Sequence, residues 1–339
     1  MKKRRSLIVW AIILVLLIAI LLTMFASVMV FNGLYSKLDL SEEKISSIDT
    51  DSYNLMDEKD VFNVLLIGTD KDEDEQDTDG ASRRSDSIMI LSLNRKTNTV
   101  KVASIMRDTY VEIPGEEPAK INNAYYVGGP LLLAETIMMN FKIKIHAYMQ
   151  VNFDAFVKVI NQIGGISLTL TESEAEQLNT TNYIKVKKFR NLQPGKQKLN
   201  GYQALGYCRI RHGTAVNGVM PGVYTASGKG DDFGRTERQR KVIKAIVRKF
   251  KRASMDRKIK AVQNAAPYIK TDIEKKDVIK CAMSVFKADR EINQLQIPTD
   301  YEDTYVGGQE VLMPDLKKCR KNLKKFMYST STEDSKKKE

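Results

Sequence analysis

Two pairs of arginines provide the most distinctive chemistry in this 339-residue sequence. Arg209 and Arg211 are separated by one residue, and on a predicted strand that spacing places both guanidinium groups on one face. Arg235 and Arg238 lie near the start of a predicted basic helix, whose N-terminus itself favours anions. Forked guanidinium groups bind phosphate and pyrophosphate through paired hydrogen bonds. The two pairs form one anion site only if the fold brings them together; otherwise they are ordinary solvent-facing charges.

A second cluster offers carboxylates for a metal ion. Asp70 follows a predicted buried strand and Asp86 precedes the next strand, so both carboxylates are expected at one end of neighbouring strands. Mg²⁺ is commonly held by one or two carboxylates and completes its shell with water and substrate phosphates. The alternative interpretation is that Asp70 belongs to the solvated acidic run at 70–79 and that Asp86 caps a turn.

The remaining candidates are less distinctive. An apolar strand ends in Arg107 and Asp108, a pair that also occurs in ordinary surface ion pairs. His146 alternates within a predicted strand and is interpreted as structural, whereas His212 adjoins Arg211 and could donate to a phosphate. The sequence has no P-loop or dinucleotide-binding signature and nothing that resembles a Ser-His-Asp triad. Its three cysteines form no CxxC pair, which argues against a zinc or redox motif.

Alternating apolar segments predict the scaffold that positions these residues. Strands are predicted at 61–68, 87–94, 99–106, 141–151 and 166–170. Helices are predicted at 122–139 with a break at Gly128-Gly129-Pro130, at 153–163, at 235–252 and through a further stretch at 256–290. The alternation of strands and helices favours the α/β class, as an α-β-α sandwich with a central mixed sheet.

The N-terminal residues predict one membrane anchor. Four basic residues at 2–5 precede residues 7–30, which contain no charged side chain. A helix of that length extends roughly 36 Å, enough to cross a hydrocarbon core of about 30 Å. The positive-inside rule then places residues 1–6 in the cytoplasm and the rest of the chain outside the cell membrane. A cleaved signal peptide is the alternative, and it would export the domain equally.

Composition divides the rest of the chain. Residues 31–60 are predicted to form a stalk, 61–255 the main domain, 256–328 a helical extension packed on that domain, and 329–339 a disordered tail. The net charge of +12 suits anionic partners, and export of the domain argues against nucleic acid as that partner.

The order of motifs resembles the LytR-CpsA-Psr family of cell-wall glycopolymer phosphotransferases. The matching segments are LLIGTD (65–70), RRSDSIMILSLN (83–94), SIMRDTYVEIP (104–114), KINNAY (120–125), VNFDAFVKVINQIGGI (151–166), LNGYQALGYCRIRH (199–212) and DFGRTERQR (232–240). Each segment alone is common, whereas the complete set in this order is specific.

The resemblance implies a reaction and a set of site residues. It implies a membrane-anchored extracytoplasmic phosphotransferase that moves a glycopolymer, such as teichoic acid or capsule, from a polyprenyl (pyro)phosphate carrier to peptidoglycan. Asp70 and Asp86 are the implied ligands of Mg²⁺ or Mn²⁺, and Arg107, Asp86 and Asp232 are assigned to catalysis. The implied pyrophosphate-binding residues are Arg84, Arg107, Arg209, Arg211, Arg235, Arg238 and Gln239.

Two other functions are compatible with the same residues. A polyprenyl-pyrophosphate phosphatase would use water as the acceptor in place of a sugar hydroxyl. A non-catalytic binder of wall polymers, or a membrane-bound regulator, would need only the basic surface. Within the transferase hypothesis, Asp108 and Asp232 are the candidates for the base that deprotonates the acceptor. The apolar helices at 131–139 and 153–163 are candidates for the walls of a lipid pocket.

Overall fold

The computed structural model describes residues 29–69, 85, 87–211, 222–287 and 292–329. Its strands are β1 (Asp39–Leu40), β2 (Val61–Thr69), β3 (Ser87–Asn94), β4 (Thr99–Ile105), β5 (Tyr110–Ile113), β6 (Glu116–Lys120), β7 (Ala147–Asn152), β8 (Ile166–Leu170), β9 (Gly195–Leu199), β10 (Ile269–Thr271), β11 (Asn293–Ile297), β12 (Tyr301–Val306) and β13 (Gln309–Pro314). Its α-helices are α1 (Ile121–Phe141), α2 (Phe153–Gln162), α3 (Glu172–Thr180), α4 (Gly201–Arg209), α5 (Asp231–Arg252), α6 (Met255–Ala265), α7 (Lys275–Lys287) and α8 (Leu316–Tyr328), and residues 29–35 are also helical.

Seven strands form a central mixed sheet in the order β1-β10-β7-β2-β3-β4-β11. β2, β3 and β4 are an antiparallel meander, whereas β7 joins β2 and β11 joins β4 in parallel. The apolar runs of β2 and β3 are nearly continuous because helices cover both faces of the sheet. The predicted α/β class with a mixed central sheet is confirmed.

One face of the sheet, which we call the closed face, packs against α1 and α8. Alternate strand residues point to this face, and their side chains are at most 2% exposed. They include Leu65, Ile67, Ile88, Ile90 and Ile105, and they meet Leu133, Ile137, Phe141, Leu323 and Met327 from the two helices. α1 bends at Gly128 and Gly129, as the glycine-glycine-proline break predicts.

The opposite face, which we call the cavity face, is covered by α5, α7 and a layer made from α2, α3, α4, α6 and the β8–β9 hairpin. Met89 and Leu93 pack there against partly buried Ile243 and Val247 of α5. The β8–β9 layer has a separate apolar core. α2 ends where predicted because Gly164 and Gly165 adopt positive φ angles of 83° and 78°, which glycine permits without strain.

Several segments differ from the predictions. The stretch at 256–290 is two helices, α6 and α7, with β10 between them. The predicted helical extension at 256–328 also supplies β11 to the central sheet and forms the β12–β13 hairpin. The predicted strand at 141–151 begins only at Ala147, because α1 continues to Phe141. β10 has three residues and β11 has five, which is too few to show the alternation of apolar and polar residues that identifies a strand.

The predicted stalk at 31–60 contributes to the folded domain. Its β1 pairs with β10 at the sheet edge, and Ile45 is buried in the core. The carboxylate of Asp272 accepts hydrogen bonds from the backbone N–H of Ile45 at 2.8 Å and of Tyr148 at 2.7 Å. One buried side chain therefore fastens this segment to β7.

No helix within the described residues is long and apolar enough to cross a membrane. The predicted transmembrane helix at 7–30 lies outside those residues except for its last two positions. The predicted cytoplasmic tail at 1–6 and all but Ser329 of the predicted disordered tail at 329–339 also lie outside them.

Candidate functional site

A cavity of about 480 Å³ lies between the cavity face of the sheet and helices α2, α4 and α5. Most of its wall is apolar, from Leu66, Met89, Met149, Val151, Phe153, Phe156, Tyr183, Leu205, Ile243 and Ile246. The rest is strongly basic, from Arg107, Arg209, Arg211 and Arg235, with Gln239 beside them. Both kinds of wall belong to one partly open cavity, so a ligand with an anionic head and an apolar tail fits it.

Helix α5 shows how one element produces this division. Arg235, Gln239, Ile243 and Ile246 all line the cavity, at the spacing of three and four that places residues on one helical face. The rise from the first to the last is roughly 16 Å. Along this stripe the lining changes from a cation near the helix N-terminus to branched aliphatic side chains, so the cavity is basic at one end and apolar at the other.

Asp232 is the centre of the basic end. Its Oδ1 lies 3.0 Å from Arg211 Nε and 3.6 Å from Arg107 Nη2, and its Oδ2 accepts from Arg235 Nη2 at 2.9 Å. Asp232 lies in the first turn of α5, where the helix dipole favours a negative charge. One carboxylate thus orients three guanidinium groups that come from three different segments.

Among the described residues, the basic end of the cavity carries more guanidinium groups than carboxylates. Three of the four cavity-lining arginines contact the carboxylate of Asp232, and the fourth, Arg209, also lines the cavity. Asp108 contacts Arg107 Nε at 3.5 Å, and Lys120 contacts the same carboxylate at 3.0 Å, so this second acid is itself balanced by a lysine. A pyrophosphate would neutralise the remaining excess, because guanidinium groups bind phosphate oxygens through paired hydrogen bonds.

Arg209 lines the cavity, but it does so from the end of a helix and not from the predicted strand. The prediction that Arg209 and Arg211 alternate on a strand is wrong, because Arg209 ends helix α4 and the chain leaves the helix at Ile210. A capping box between Asn200 and Gln203 starts that helix. The Arg209 guanidinium lies over the ring of Phe153, 5.3 Å from its centre, at the junction of the basic and apolar walls.

Arg238 does not belong to the cavity, contrary to the predicted pyrophosphate-binding role. Its side chain is 0% exposed and its Nε donates to Glu174 at 2.8 Å. Its two terminal nitrogens donate to the carbonyls of Ile210 at 3.1 Å and Val223 at 2.6 Å. Because the fold itself occupies these donors, Arg238 holds the segments on either side of the arginine cluster in place.

Two residues that sequence reasoning missed support this cluster. Glu174 forms a capping box with Thr171 at the start of α3 and also pairs with Arg238; the Thr-x-x-Glu spacing was the available signal. At Gly234, an added Cβ would lie 2.7 Å from the carbonyl oxygen of Lys229, so only glycine fits this first turn of α5. No sequence signal distinguishes that glycine from a flexible one.

The loop that carries Arg107 is fixed from several sides. Met106 is buried; its backbone N–H donates to Ile297 and its carbonyl accepts from the Thr109 hydroxyl at 2.6 Å. The Thr236 hydroxyl lies 3.5 Å from the Met106 sulfur, which links the loop to α5. These contacts hold the Arg107 backbone against the helix that carries Asp232.

Other candidates from the sequence have structural roles. Burial lowers the pKa of His146, with partial compensation from Asp57, while its Nδ1 accepts from the Asn63 backbone at 3.1 Å. The structural interpretation of His146 is therefore confirmed. Burial raises the pKa of the Cys208 thiol to about 12, so this cavity-lining side chain stays protonated at neutral pH. Helix residues 131–139 pack on the closed face, whereas Phe153 and Phe156 of α2 line the cavity.

Asp70, Arg84, Asp86 and His212 lie outside the described residues. The strand ends next to the two aspartates are adjacent, since Gly68 pairs with Ser87. Thr69 Oγ1 and Ser85 Oγ are buried and have no hydrogen-bond partner in the described part of the chain. Within that part, no group of three potential metal ligands is found. Each of these two hydroxyl residues is followed in the sequence by one of the aspartates, and oxygen donors of this kind fit the ligand set of a hard cation such as Mg²⁺.

Comparisons with known proteins agree on one family. The model of the LytR_cpsA_psr family matches residues 28–327. The polyisoprenyl-teichoic acid–peptidoglycan teichoic acid transferase TagU of Oceanobacillus iheyensis is 34% identical over 259 residues, covering 73% of this chain and 70% of that protein. The TagU transferase of Enterococcus faecalis is 29% identical over 325 residues, covering 95% of this chain and 97% of that protein.

Solved structures give the same result. The LytR-CPS2A-psr family protein YwtF (TagT), solved with bound octaprenyl pyrophosphate lipid, is similar with a TM-score of 0.59 and 25% sequence identity. The match covers 86% of this chain and 100% of that chain.

Proposed function

Because this chain belongs to the LytR_cpsA_psr family, we propose that it transfers a glycopolymer from a polyprenyl (pyro)phosphate carrier to peptidoglycan. The observation that carries the proposal is that four arginines and an apolar wall line the same cavity. A polyprenyl pyrophosphate has the same division into a polyanionic head and a long hydrocarbon tail. The names of the relatives, which are teichoic acid transferases, support this substrate class.

The arginines perform the chemistry that phosphoryl transfer most requires. The acceptor hydroxyl oxygen forms a bond to the phosphorus that carries the glycopolymer, and the bond from that phosphorus to the bridging oxygen breaks. Polyprenyl phosphate leaves, and its new negative charge needs stabilisation. Arg107, Arg211 and Arg235 are already oriented by Asp232, so they stabilise this charge without reorganising.

A proton must leave the acceptor hydroxyl. Asp108 and Asp232 are the described carboxylates beside the arginines, and we assign them different tasks. Asp232 is engaged with three guanidinium groups and positions them. Asp108 contacts one arginine and Lys120, and its side chain is 22% exposed against 11% for Asp232, so it is more accessible to the acceptor hydroxyl and is proposed as the proton acceptor.

A divalent metal completes the proposed site. Asp70 and Asp86 are the residues that would hold Mg²⁺ or Mn²⁺, and the adjacent strand ends with their buried hydroxyls support this assignment. When bound, the metal supplies a Lewis acid that neutralises phosphate charge. Arg84 belongs to the same motif as Asp86 and is proposed to bind the pyrophosphate.

Residues 7–30 are proposed to anchor the protein as a single-pass helix, with the N-terminus in the cytoplasm and the α-β-α domain outside. The basic residues at 2–5 and the uncharged run that follows support this orientation. A lipid-linked donor resides in the same membrane, so the anchor would keep the cavity near its substrate.

The test uses the full chain in detergent or lipid nanodiscs. The purified protein is incubated with Mg²⁺, a radiolabelled polyprenyl-pyrophosphate glycan and peptidoglycan oligomers, beside Arg107→Ala and the matched control Arg248→Ala. Arg248 is an exposed arginine of α5. Label should move to the oligomers with the wild type and Arg248→Ala but not with Arg107→Ala.

Other outcomes identify the alternatives. Release of free phosphate or glycan without transfer would mean a phosphatase. Donor binding without any turnover would mean a non-catalytic binder or regulator. Chelation with EDTA followed by readdition of Mg²⁺ tests the metal, and Asp70→Asn and Asp86→Asn should reduce transfer at saturating donor.

A further inference from the structure

The β12–β13 hairpin, residues 301–314, adjoins the basic end of the cavity although it lies outside the central sheet. The backbone N–H of Leu312 donates to the carbonyl of Asp108 at 2.9 Å, and Thr109 forms a bridge with Leu312. At the base of the hairpin, the Tyr301 ring stacks on Phe233, with 5.6 Å between the ring centres. Phe233 follows Asp232 directly, so the hairpin extends outward from the arginine cluster.

One face of the hairpin continues this aromatic contact into solvent. Tyr301, Asp303 and Tyr305 alternate along β12 and therefore share the face that meets Phe233. Tyr305 pairs with Glu310 of β13, and its side chain is 72% exposed. The exposed Tyr305 ring therefore lies on the same strand face as Tyr301, which stacks on Phe233 beside the arginine cluster, and a planar ring presented in this way is available to stack on a ligand.

The hairpin is acidic on a basic protein. Residues 300–315 contain five acidic residues and no lysine or arginine, whereas the whole chain has a net charge of +12. Asp300 and Asp315 pair with Lys318. Glu302, Asp303 and Glu310 have no ion-pair partner among the described residues. This surface repels a phosphate-rich polymer and favours a partner that is neutral or positively charged.

We propose that the hairpin face formed by Tyr301, Asp303, Tyr305 and Glu310 binds the glycan strand of the acceptor. The proposal rests on the proposed function, because it identifies the acceptor side of the same site. Tyrosine rings stack on the C–H faces of sugar rings, and the two carboxylates accept hydrogen bonds from sugar hydroxyl or amide groups. A hydroxyl of a strand held there would enter the site beside Asp108 and Arg107.

Charge then separates the two substrates. The phosphate-bearing donor is attracted to the arginine end, and the acidic hairpin excludes it from the acceptor surface. The donor head then lies at the arginines and the acceptor lies at the hairpin, which contacts the same loop through the Asp108 carbonyl. A displacement reaction needs the attacking and leaving oxygens in line, and separate binding surfaces for donor and acceptor permit that arrangement.

Transfer kinetics with the full-length protein test the proposal. Tyr305→Ala should raise KM for peptidoglycan glycan oligomers about three- to tenfold, the range expected for one aromatic contact, and Tyr305→Phe should restore most of the affinity. Glu310→Gln should raise KM less. The matched control is Glu302→Gln, which removes an acid from the opposite face and should leave KM unchanged. An unchanged KM for Tyr305→Ala would overturn the proposal.

A binding measurement separates this proposal from the proposed function. Oligomers of N-acetylglucosamine, which have the sugar rings and acetamido groups of the glycan strand without the free lactyl carboxylate of peptide-free muramic acid, are titrated into the full-length protein in the absence of donor. Saturable binding that weakens in Tyr305→Ala but not in Glu302→Gln supports the acceptor surface even if no transfer occurs. Absence of binding to the wild type, or equal affinity for both variants, overturns it whatever the transfer assay shows.

Discussion

The two faces of the central sheet are made by the same strands but are covered differently. On the closed face, Leu65 and its neighbours are fully packed against α1 and α8. On the cavity face, Leu66 borders a partly open cavity of about 480 Å³. A side chain at the edge of a void lacks partner atoms on one side and contributes less dispersion energy. The closed face therefore supplies most of the packing energy, which leaves the cavity face available for a lipid.

Arg238→Ala should give the largest effect, because the cavity side depends on polar contacts where packing is incomplete. The substitution leaves Glu174 buried without its partner, and breaking a buried ion pair costs about 3–5 kcal/mol of unfolding free energy. Chemical denaturation measures this loss. The double substitution Arg238→Met with Glu174→Leu removes both charges and should recover much of the stability. A loss below about 1 kcal/mol for Arg238→Ala would refute the structural assignment.

Leu65→Ala and Leu66→Ala compare the two faces with the same chemical change at adjacent positions. Leu65 is 0% exposed in the closed core, so its truncation should cost about 2–5 kcal/mol. Leu66 already borders a void, and its truncation should cost about 1 kcal/mol while weakening binding of a polyprenyl pyrophosphate. Chemical denaturation measures the loss of unfolding free energy, and titration with a polyprenyl pyrophosphate measures the change in affinity. Equal losses of stability would show that the two faces are packed alike.

Arg235→Ala should separate activity from stability. Arg235 is one of three arginines that contact Asp232. When Arg235 is replaced, the Asp232 carboxylate still contacts Arg107 and Arg211. We expect kcat for transfer to fall about ten- to a hundredfold, because one preorganised donor to the leaving phosphate is lost. The melting temperature should change less than in Arg238→Ala, three residues along the same helix. A larger fall in melting temperature for Arg235→Ala than for Arg238→Ala would show that Arg235 is the structural residue of the two.

The sequence predicted the sheet and most of its helices because those elements are long and strongly patterned. Apolar runs such as 61–68 and 87–94 became β2 and β3 with small changes at their ends. β10 and β11 were missed because three to five residues show no clear period and their pairing depends on distant strands. Tertiary context, rather than local propensity, determines such strands.

The residue types of the site could be predicted from the sequence, but the direction in which each side chain points could not. Arg107, Arg209, Arg211, Arg235 and Gln239 do come together at one cavity. Arg238 differs from Arg235 only in where its side chain points, which depends on the capping box at Thr171 and Glu174 more than sixty positions earlier in the chain. The cavity itself is an absence of packing between layers, and no local pattern encodes it.

The smallest expected effect lies at His146, which immediately precedes β7 and does not line the cavity. Burial lowers the pKa of His146 below 6.5, and Asp57, 3.3 Å from its Nε2, only partly opposes this change. Below pH 6.5 the unfolded chain therefore takes up a proton that the native protein does not. The free energy of unfolding should fall as the pH decreases from 6.5 towards the lowered pKa of the folded state.

The prediction is tested by measuring how the free energy of unfolding depends on pH for the wild type, His146→Asn and Asp57→Asn. His146→Asn keeps an acceptor for the Asn63 backbone N–H but cannot be protonated, so its stability should change less between about pH 7.5 and about pH 5.5. Asp57→Asn removes the attraction that raises the pKa of His146 and should steepen the loss in acid. Because His146 does not line the cavity, the affinity for polyprenyl pyrophosphate should be equal in all three at neutral pH. A change in lipid affinity with His146→Asn would show that the start of β7 and the cavity are coupled. The separation between stabilising and ligand-binding surfaces would then not hold.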